Sequence, residues 1–140
     1  MATATKTKRA RTEDLHQIGE VAELVGLSLR TVRYYEEVGV LSAPARTEGG
    51  FRLYGSEHID QLLLIKQMKP LGLSLDEMRA LLEARDTLRT SSSARRKSEA
   101  RAQLESFADT ADERCVELKD KLRNAERFAA EIRGEAETNG

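Results

Sequence analysis

The chain has 140 residues, 39% of them apolar and 34% charged, with a formal net charge of −1. That length holds one modest domain and an extension rather than two full domains, and the charge balance excludes a uniformly basic nucleic-acid coat. A single cysteine, Cys115, excludes an internal disulfide and a cysteine-rich metal site within one chain. The lone thiol points to a reducing cytoplasm, and the absence of a long apolar run leaves no membrane span to expect.

Residues 1–15 open with Lys6, Lys8, Arg9 and Arg11 before any acid and lack the apolar core of a signal peptide. They are expected to form a disordered basic arm. From residue 16 the apolar positions become periodic. Ile18, Val21, Ala22 and Val25 recur at helical spacing, and Gly26 stops that helix. Ser28 is a suitable N-cap for a second helix that starts at Leu29 and buries Leu29 and Val32. Gly39 stands where a left-handed residue closes a helix. Pro44 and the Gly49-Gly50 pair then bracket a short two-stranded ribbon that ends near Tyr54.

A third helix after Ser56 carries its apolar face on Ile59, Leu62, Leu63, Ile65 and Met68, and breaks at Pro70 and Gly72. Ser74 to Glu77 reads as a capping box, with Leu73 and Met78 as its hydrophobic staple. The fourth helix that follows is expected to bury Met78, Leu81 and Leu82. Residues 86–94 are polar and read as a linker. From about 95 to 137 one uninterrupted helix places Leu104, Ala108, Ala111, Cys115, Leu118, Leu122, Ala125, Ala129, Ile132 and Ala136 at alternating spacings of four and three. This is a heptad seam, and a helix roughly 60 Å long cannot bury such a seam alone. Leu104 and Ile132 lie symmetrically about residue 118, and Phe107 and Phe128 nearly so. An antiparallel homodimer would use that symmetry.

The fold class expected is therefore mainly α: a winged helix-turn-helix domain over 16–85 with a small β-hairpin wing, then a long antiparallel coiled-coil helix. The cationic and phenolic side chains concentrate on the second helix and the ribbon. Arg30 and Arg33 can reach base edges or phosphates, and arginine to guanine is the commonest specific contact. Ser28, Thr31 and Tyr34 can donate to phosphate oxygens, which fixes register rather than sequence. Arg46, Gly50, Arg52 and Tyr54 would grip the flanking backbone, with Phe51 packing the ribbon onto the domain. Lys69 would add a further phosphate contact. Tyr35 is balanced between core and contact. Glu36 and Glu37 would orient arginines, since acids facing phosphate are repelled.

These residues carry a resemblance. LRTVRYYEEVGVL followed by PARTEGGFRLY resembles the DNA-binding domain of the MerR family of transcriptional regulators. The family pattern is met at Thr31, Arg33, Tyr34, Tyr35, Glu36, Gly39, Pro44, Arg46, Gly50, Phe51, Arg52 and Tyr54. LGLSLDEM at 71–78 resembles the family's connection between its third and fourth helices, although Pro70 stands where the family more often has a polar residue. The close match covers residues 16–83, and the coil matches in architecture.

The resemblance implies a homodimer that binds an inverted-repeat site in double-stranded promoter DNA and distorts it for RNA polymerase. It also leaves room for a simple repressor, for an architectural protein whose coil recruits a partner, and for a metal- or thiol-responsive sensor using Cys115. Metal-sensing members pair cysteines around the coil, and this chain has no second one. Cys115 is therefore expected to be a packing residue of the dimer seam, with no cofactor or metal. No appended effector domain is expected after the coil. An enzyme is not expected, because no nucleophile is paired with a base and no loop cradles phosphate.

Overall fold

The computed structural model describes residues 15–139, so the basic arm proposed for 1–15 lies, but for Leu15, outside the described residues. The fold is mainly helical with one small hairpin: α1 (Ile18–Val25), α2 (Leu29–Glu37), β1 (Ala45–Arg46), β2 (Arg52–Leu53), α3 (Ser56–Met68), a 3-10 turn at Lys69–Leu71, α4 (Leu75–Thr90) and α5 (Ala94–Thr138). It divides into two compact units, one ending at Glu83 and the other starting at Ala84.

The turn between α1 and α2 is built by two local devices. Gly26 adopts a left-handed φ of 70° and closes α1, and the Ser28 side chain accepts from Thr31 N at 3.1 Å to open α2. A residue with a Cβ at Gly26 would be strained in backbone and would also meet the Lys66 ammonium, which donates to the Val25 carbonyl at 2.7 Å. A free carbonyl at the end of α1 thus receives a cation from α3.

The β1–β2 hairpin pairs Ala45 with Leu53 and Arg46 with Arg52 in antiparallel register. Its turn runs through Thr47, which accepts from Gly50 N at 2.9 Å, and requires the left-handed φ of 83° at Gly50. The hairpin root is tied to the start of the domain, where His16 and Tyr54 exchange backbone hydrogen bonds of 2.8 Å in both directions.

One core joins these pieces. Val21, Ala22 and Val25 of α1, Val32 and Tyr35 of α2, Val40, Leu41, Tyr54, and Leu62, Ile65 and Met68 of α3 form a single buried cluster that Met78 of α4 completes. Leu29 was expected inside and is 43% exposed. It sits in the first turn of a nine-residue helix whose inward stripe is set by Val32 and Tyr35, and it falls off that stripe. Leu63 likewise turns outward from α3, and Leu81 and Leu82 are only partly buried beside Met78.

The break between the last two helices is shorter than the polar stretch 86–94 suggests. Helix α4 runs through Thr90 and α5 starts at Ala94. Thr90 Oγ1 donates to the Asp86 carbonyl at 2.8 Å, and Ser93 caps α5 by accepting from Arg96 N at 3.3 Å. Threonine in a last helical turn can satisfy its hydroxyl on the preceding turn, so polarity alone does not end the helix. Helix α5 has 45 residues, about 67 Å at helical rise. Its seam is open in the single chain. Leu118, Leu122 and Ile132 are exposed, as are Val116 and Phe128 beside them, and only Ala100 near its start is buried. No described helix is long and apolar enough to cross a membrane.

Candidate nucleic-acid interface

Helix α2 presents one face to the core and the opposite face to solvent. Val32 and Tyr35 point inward, whereas Arg30, Arg33 and Tyr34 are exposed and Thr31 is half-buried. Thr31 Oγ1 lies 2.8 Å from Ser28 Oγ. The two hydroxyls at the helix start are therefore coupled, and Ser28 is occupied by its cap. The inward Tyr35 ring lies 5.4 Å from that of Tyr34, and burial raises its phenol pKa, with Tyr34 adding to the shift. Tyr35 is a core residue with Tyr34 as its exposed neighbour.

Two clefts flank this helix. The first, about 530 Å³, is lined by Gln17, Ile18, Arg33, Glu37, Arg46, Gly50, Phe51 and Arg52. It brings three guanidinium groups from α2, β1 and β2 around one carboxylate, and so favours an anion. Arg46 Nη1 donates to the Gly50 carbonyl at 3.1 Å, which holds it against the hairpin turn. The second, about 560 Å³, lies between α2 and the α3–α4 turn and is lined by Arg30, Thr31, Tyr34, Lys69, Ser74 and Met78 among others. It carries two cationic groups, Arg30 and Lys69, and no acid. The start of α4 is sealed by the reciprocal bonds Glu77 N to Ser74 Oγ and Ser74 N to Glu77 Oε1, both 3.1 Å.

The structure therefore gathers most of the sequence candidates around the exposed face of α2, and it changes the expected role of two. Tyr54 has no exposed surface. Its hydroxyl donates to Glu36 Oε2 at 2.7 Å and its ring packs edge-on to His58 at 5.3 Å. Its phenol pKa is pushed up to about 12, first by burial and then by the Glu36 carboxylate. It is a buried donor and cannot itself grip a DNA backbone. Phe51 reverses its expected role in the other direction, being 65% exposed rather than packed onto the domain. It stands at the mouth of the arginine cleft, beside Gly49 in the hairpin turn. Two-residue strands are too short to set an alternation, so nothing in Phe-Arg-Leu-Tyr marks which aromatic goes inside.

Glu36 was legible only as an orienting acid, and its partners are now specific. It accepts from Tyr54 and lies 3.7 Å from Arg52 Nε. Arg79 was not singled out by sequence. From α4 it donates to the Val38 carbonyl at the end of α2 at 2.6 Å, and Asp76 holds it at 3.0 Å. A basic residue one turn after a capping box carries no signal that it will reach another helix. Cys115 is exposed on α5. Among the described residues no group of three His, Cys, Asp or Glu side chains is gathered as a metal ion would need.

Comparison with known proteins agrees with this geometry. Residues 17–85 match the model described as MerR HTH family regulatory protein, and residues 59–134 match a second described as MerR, DNA binding. The HTH-type transcriptional regulator CueR of Vibrio cholerae serotype O1 is 43% identical over 79 residues, 56% of this chain and 57% of that protein. The matched region thus spans little more than half the length of that relative. The mercuric resistance operon regulatory protein of Bacillus cereus is 36% identical over 116 residues, covering 74% of this chain and 88% of that one. Among solved structures, the regulator PbrR691 from Ralstonia metallidurans CH34 in complex with lead(II) superposes with a TM-score of 0.53 at 32% identity, over 82% of this chain and 86% of that one. HiNmlR, a regulator lacking the sensor domain and bound to promoter DNA, superposes with a TM-score of 0.59 at 26% identity, over 83% and 88%.

Proposed function

The chain belongs to the MerR helix-turn-helix family of transcriptional regulators, and we propose that it acts as a homodimer on an inverted-repeat site in promoter DNA. Each α2 enters a major groove. Arg30 and Arg33 read base edges there, and Thr31 and Tyr34 hold phosphates. The arginine cleft, with Arg46 and Arg52, takes the backbone on one side of the groove, and Lys69 takes it on the other. The observation that carries this reading is the placement of cationic clefts on both flanks of one exposed helix face. A duplex offers that helix two phosphate rows, one on each side of the groove.

The exposed apolar seam of α5 supports the dimer, because a helix of this length with Leu118, Leu122 and Ile132 in water is stabilised by a second seam. Two copies related by a two-fold axis then read a two-fold site. Distortion of the promoter between the half-sites, which brings its elements into line for RNA polymerase, is the regulatory step we propose. That is deformability used as a switch. HiNmlR, a regulator lacking the sensor domain, was crystallised on promoter DNA, which supports promoter binding by the same helix-turn-helix architecture.

The test is a hydroxyl-radical footprint on a duplex enriched from a random pool by the full chain. Two protected half-sites related by a two-fold are expected, together with anomalous mobility when the site is permuted along a fragment. A one-sided footprint would overturn the dimeric reading. A symmetric footprint on unbent DNA would favour simple repression by occlusion.

A further inference from the structure

Resting on the DNA-reading role above, we propose that Glu36 is a positioning residue for that interface: its carboxylate holds the Arg52 guanidinium on the wall of the arginine cleft, and the buried Tyr54 hydroxyl keeps Glu36 from turning outward.

The two oxygens of Glu36 are divided between two tasks. Oε2 accepts from Tyr54 at 2.7 Å, and Oε1 lies 3.7 Å from Arg52 Nε. The Glu36 side chain is 15% exposed and does not line the cleft, whereas Arg52 is 36% exposed and does. Glu36 is thus behind the cleft wall and Arg52 is the wall. This geometry explains how an acid can sit on the DNA-facing helix without repelling a phosphate. Its charge is spent inward, on a donor and a cation, and is shielded from the groove.

The anchor is rigid where the wing is weak. The hairpin has two residues per strand, which is too little ladder to fix a long side chain. Tyr54, one residue beyond β2, is fully buried and its backbone is bonded to His16 on both sides. Through Glu36 it fastens the wing to α2. An arginine has four rotatable side-chain bonds and loses much rotamer freedom when ordered. With Arg52 already oriented in the free protein, a phosphodiester oxygen meets a prearranged donor and binding loses less entropy. Arg33 and Arg46 line the same cleft, and Arg46 is similarly pre-set by its bond to the Gly50 carbonyl.

The substitution Glu36→Gln keeps the volume and the acceptor for Tyr54 and replaces the charged oxygen facing Arg52 by a neutral amide. Its affinity for the enriched duplex is measured across a salt series beside Arg52→Ala and the double variant, all in the full chain. The expected result is a loss of about tenfold for each single change and no further loss in the double. The slope of log affinity against log salt should fall by about one in all three, the value of one phosphate contact. A purely structural role would lower the melting temperature and leave that slope alone.

Wild-type affinity and slope in Glu36→Gln, or additive losses in the double variant, would overturn the proposal. If Glu36→Gln fails to fold, Tyr54→Phe decides: loss of slope supports the anchor and an unchanged slope refutes it. A harmless Arg52→Ala would instead remove the cleft from the DNA-binding role, which is a different failure.

Discussion

Truncation of Leu122 on α5 offers a measurable test of the dimer, because the single chain records how much apolar surface awaits a partner. Leu122 is 60% exposed and Leu118 41% exposed. Full burial of a leucine side chain is worth roughly 1.5–3 kcal/mol, so closing the remaining surface of Leu122 is worth about 1–2 kcal/mol per copy. Alanine keeps the first side-chain carbon, which leaves a loss of about 1–1.5 kcal/mol per copy and about 2–3 kcal/mol per dimer. Leu122→Ala is therefore expected to raise the dimer dissociation constant by roughly 30- to 150-fold, and Leu118→Ala by roughly 5- to 30-fold. Alanine is the better helix former, so a weaker dimer cannot be ascribed to a melted α5. Sedimentation equilibrium of both variants reads the constants directly. DNA binding by Leu122→Ala should recover when protein concentration is raised past the new constant, by mass action. A dissociation constant within twofold of wild type for Leu122→Ala would refute the reasoning, since the most exposed seam leucine would then have no partner. Leu118→Asp, which puts a charge in the seam, should leave a monomer.

Three further outcomes are expected. Arg33→Ala, at an exposed position on α2, should weaken binding to the enriched site by about 1–3 kcal/mol and relax base preference without changing thermal stability; unchanged selectivity in competition binding would remove Arg33 from base readout. Tyr54 has a phenol pKa raised to about 12 against 10.0 unfolded, so its contribution is complete below pH 10 and is lost as pH rises from 10 through 12. Wild type should therefore lose stability over that window by more than Tyr54→Phe does, as read by urea midpoints. Arg79→Ala leaves the Val38 carbonyl without its charged donor and should cost about 1–2 kcal/mol of stability; an unchanged urea midpoint would show that water replaces the guanidinium freely.

Much of the fold was legible because its stops are chemical. Gly26, Gly39 and Gly72 all take left-handed backbone at helix ends, and Ser28 and Ser74 both cap the helices that follow. The seam of α5 was legible because it repeats. The less legible parts depend on contacts that no local period encodes. Tyr54 and Phe51 are three residues apart in a hairpin too short to alternate, and what decides between them is tertiary. Tyr54 finds Glu36 and His58, and Phe51 finds nothing of the core. Leu29 fits a helical stripe on paper, but a nine-residue helix has room for only one buried edge, and Val32 with Tyr35 occupies it.

Helix α2 is held at two points that the sequence pattern does not separate from solvent-facing positions. Glu36 ties its last turn to the wing, and the Val38 carbonyl just past its end receives Arg79 from α4. Each tie uses a charged group on a neutral partner, Glu36 with a phenol and Arg79 with a carbonyl, and such bonds are about twice as strong as neutral ones. Helix α2 has only nine residues, below the length at which a helix is stable by itself. Its orientation is therefore set by what grips it. In the proposed complex, distortion of bound DNA would load these two ties before it could turn the helix out of the groove. If α2 reads DNA as proposed, Glu36 and Arg79 act on it without touching it, and Arg46 and Arg52 would meet it in positions fixed beforehand.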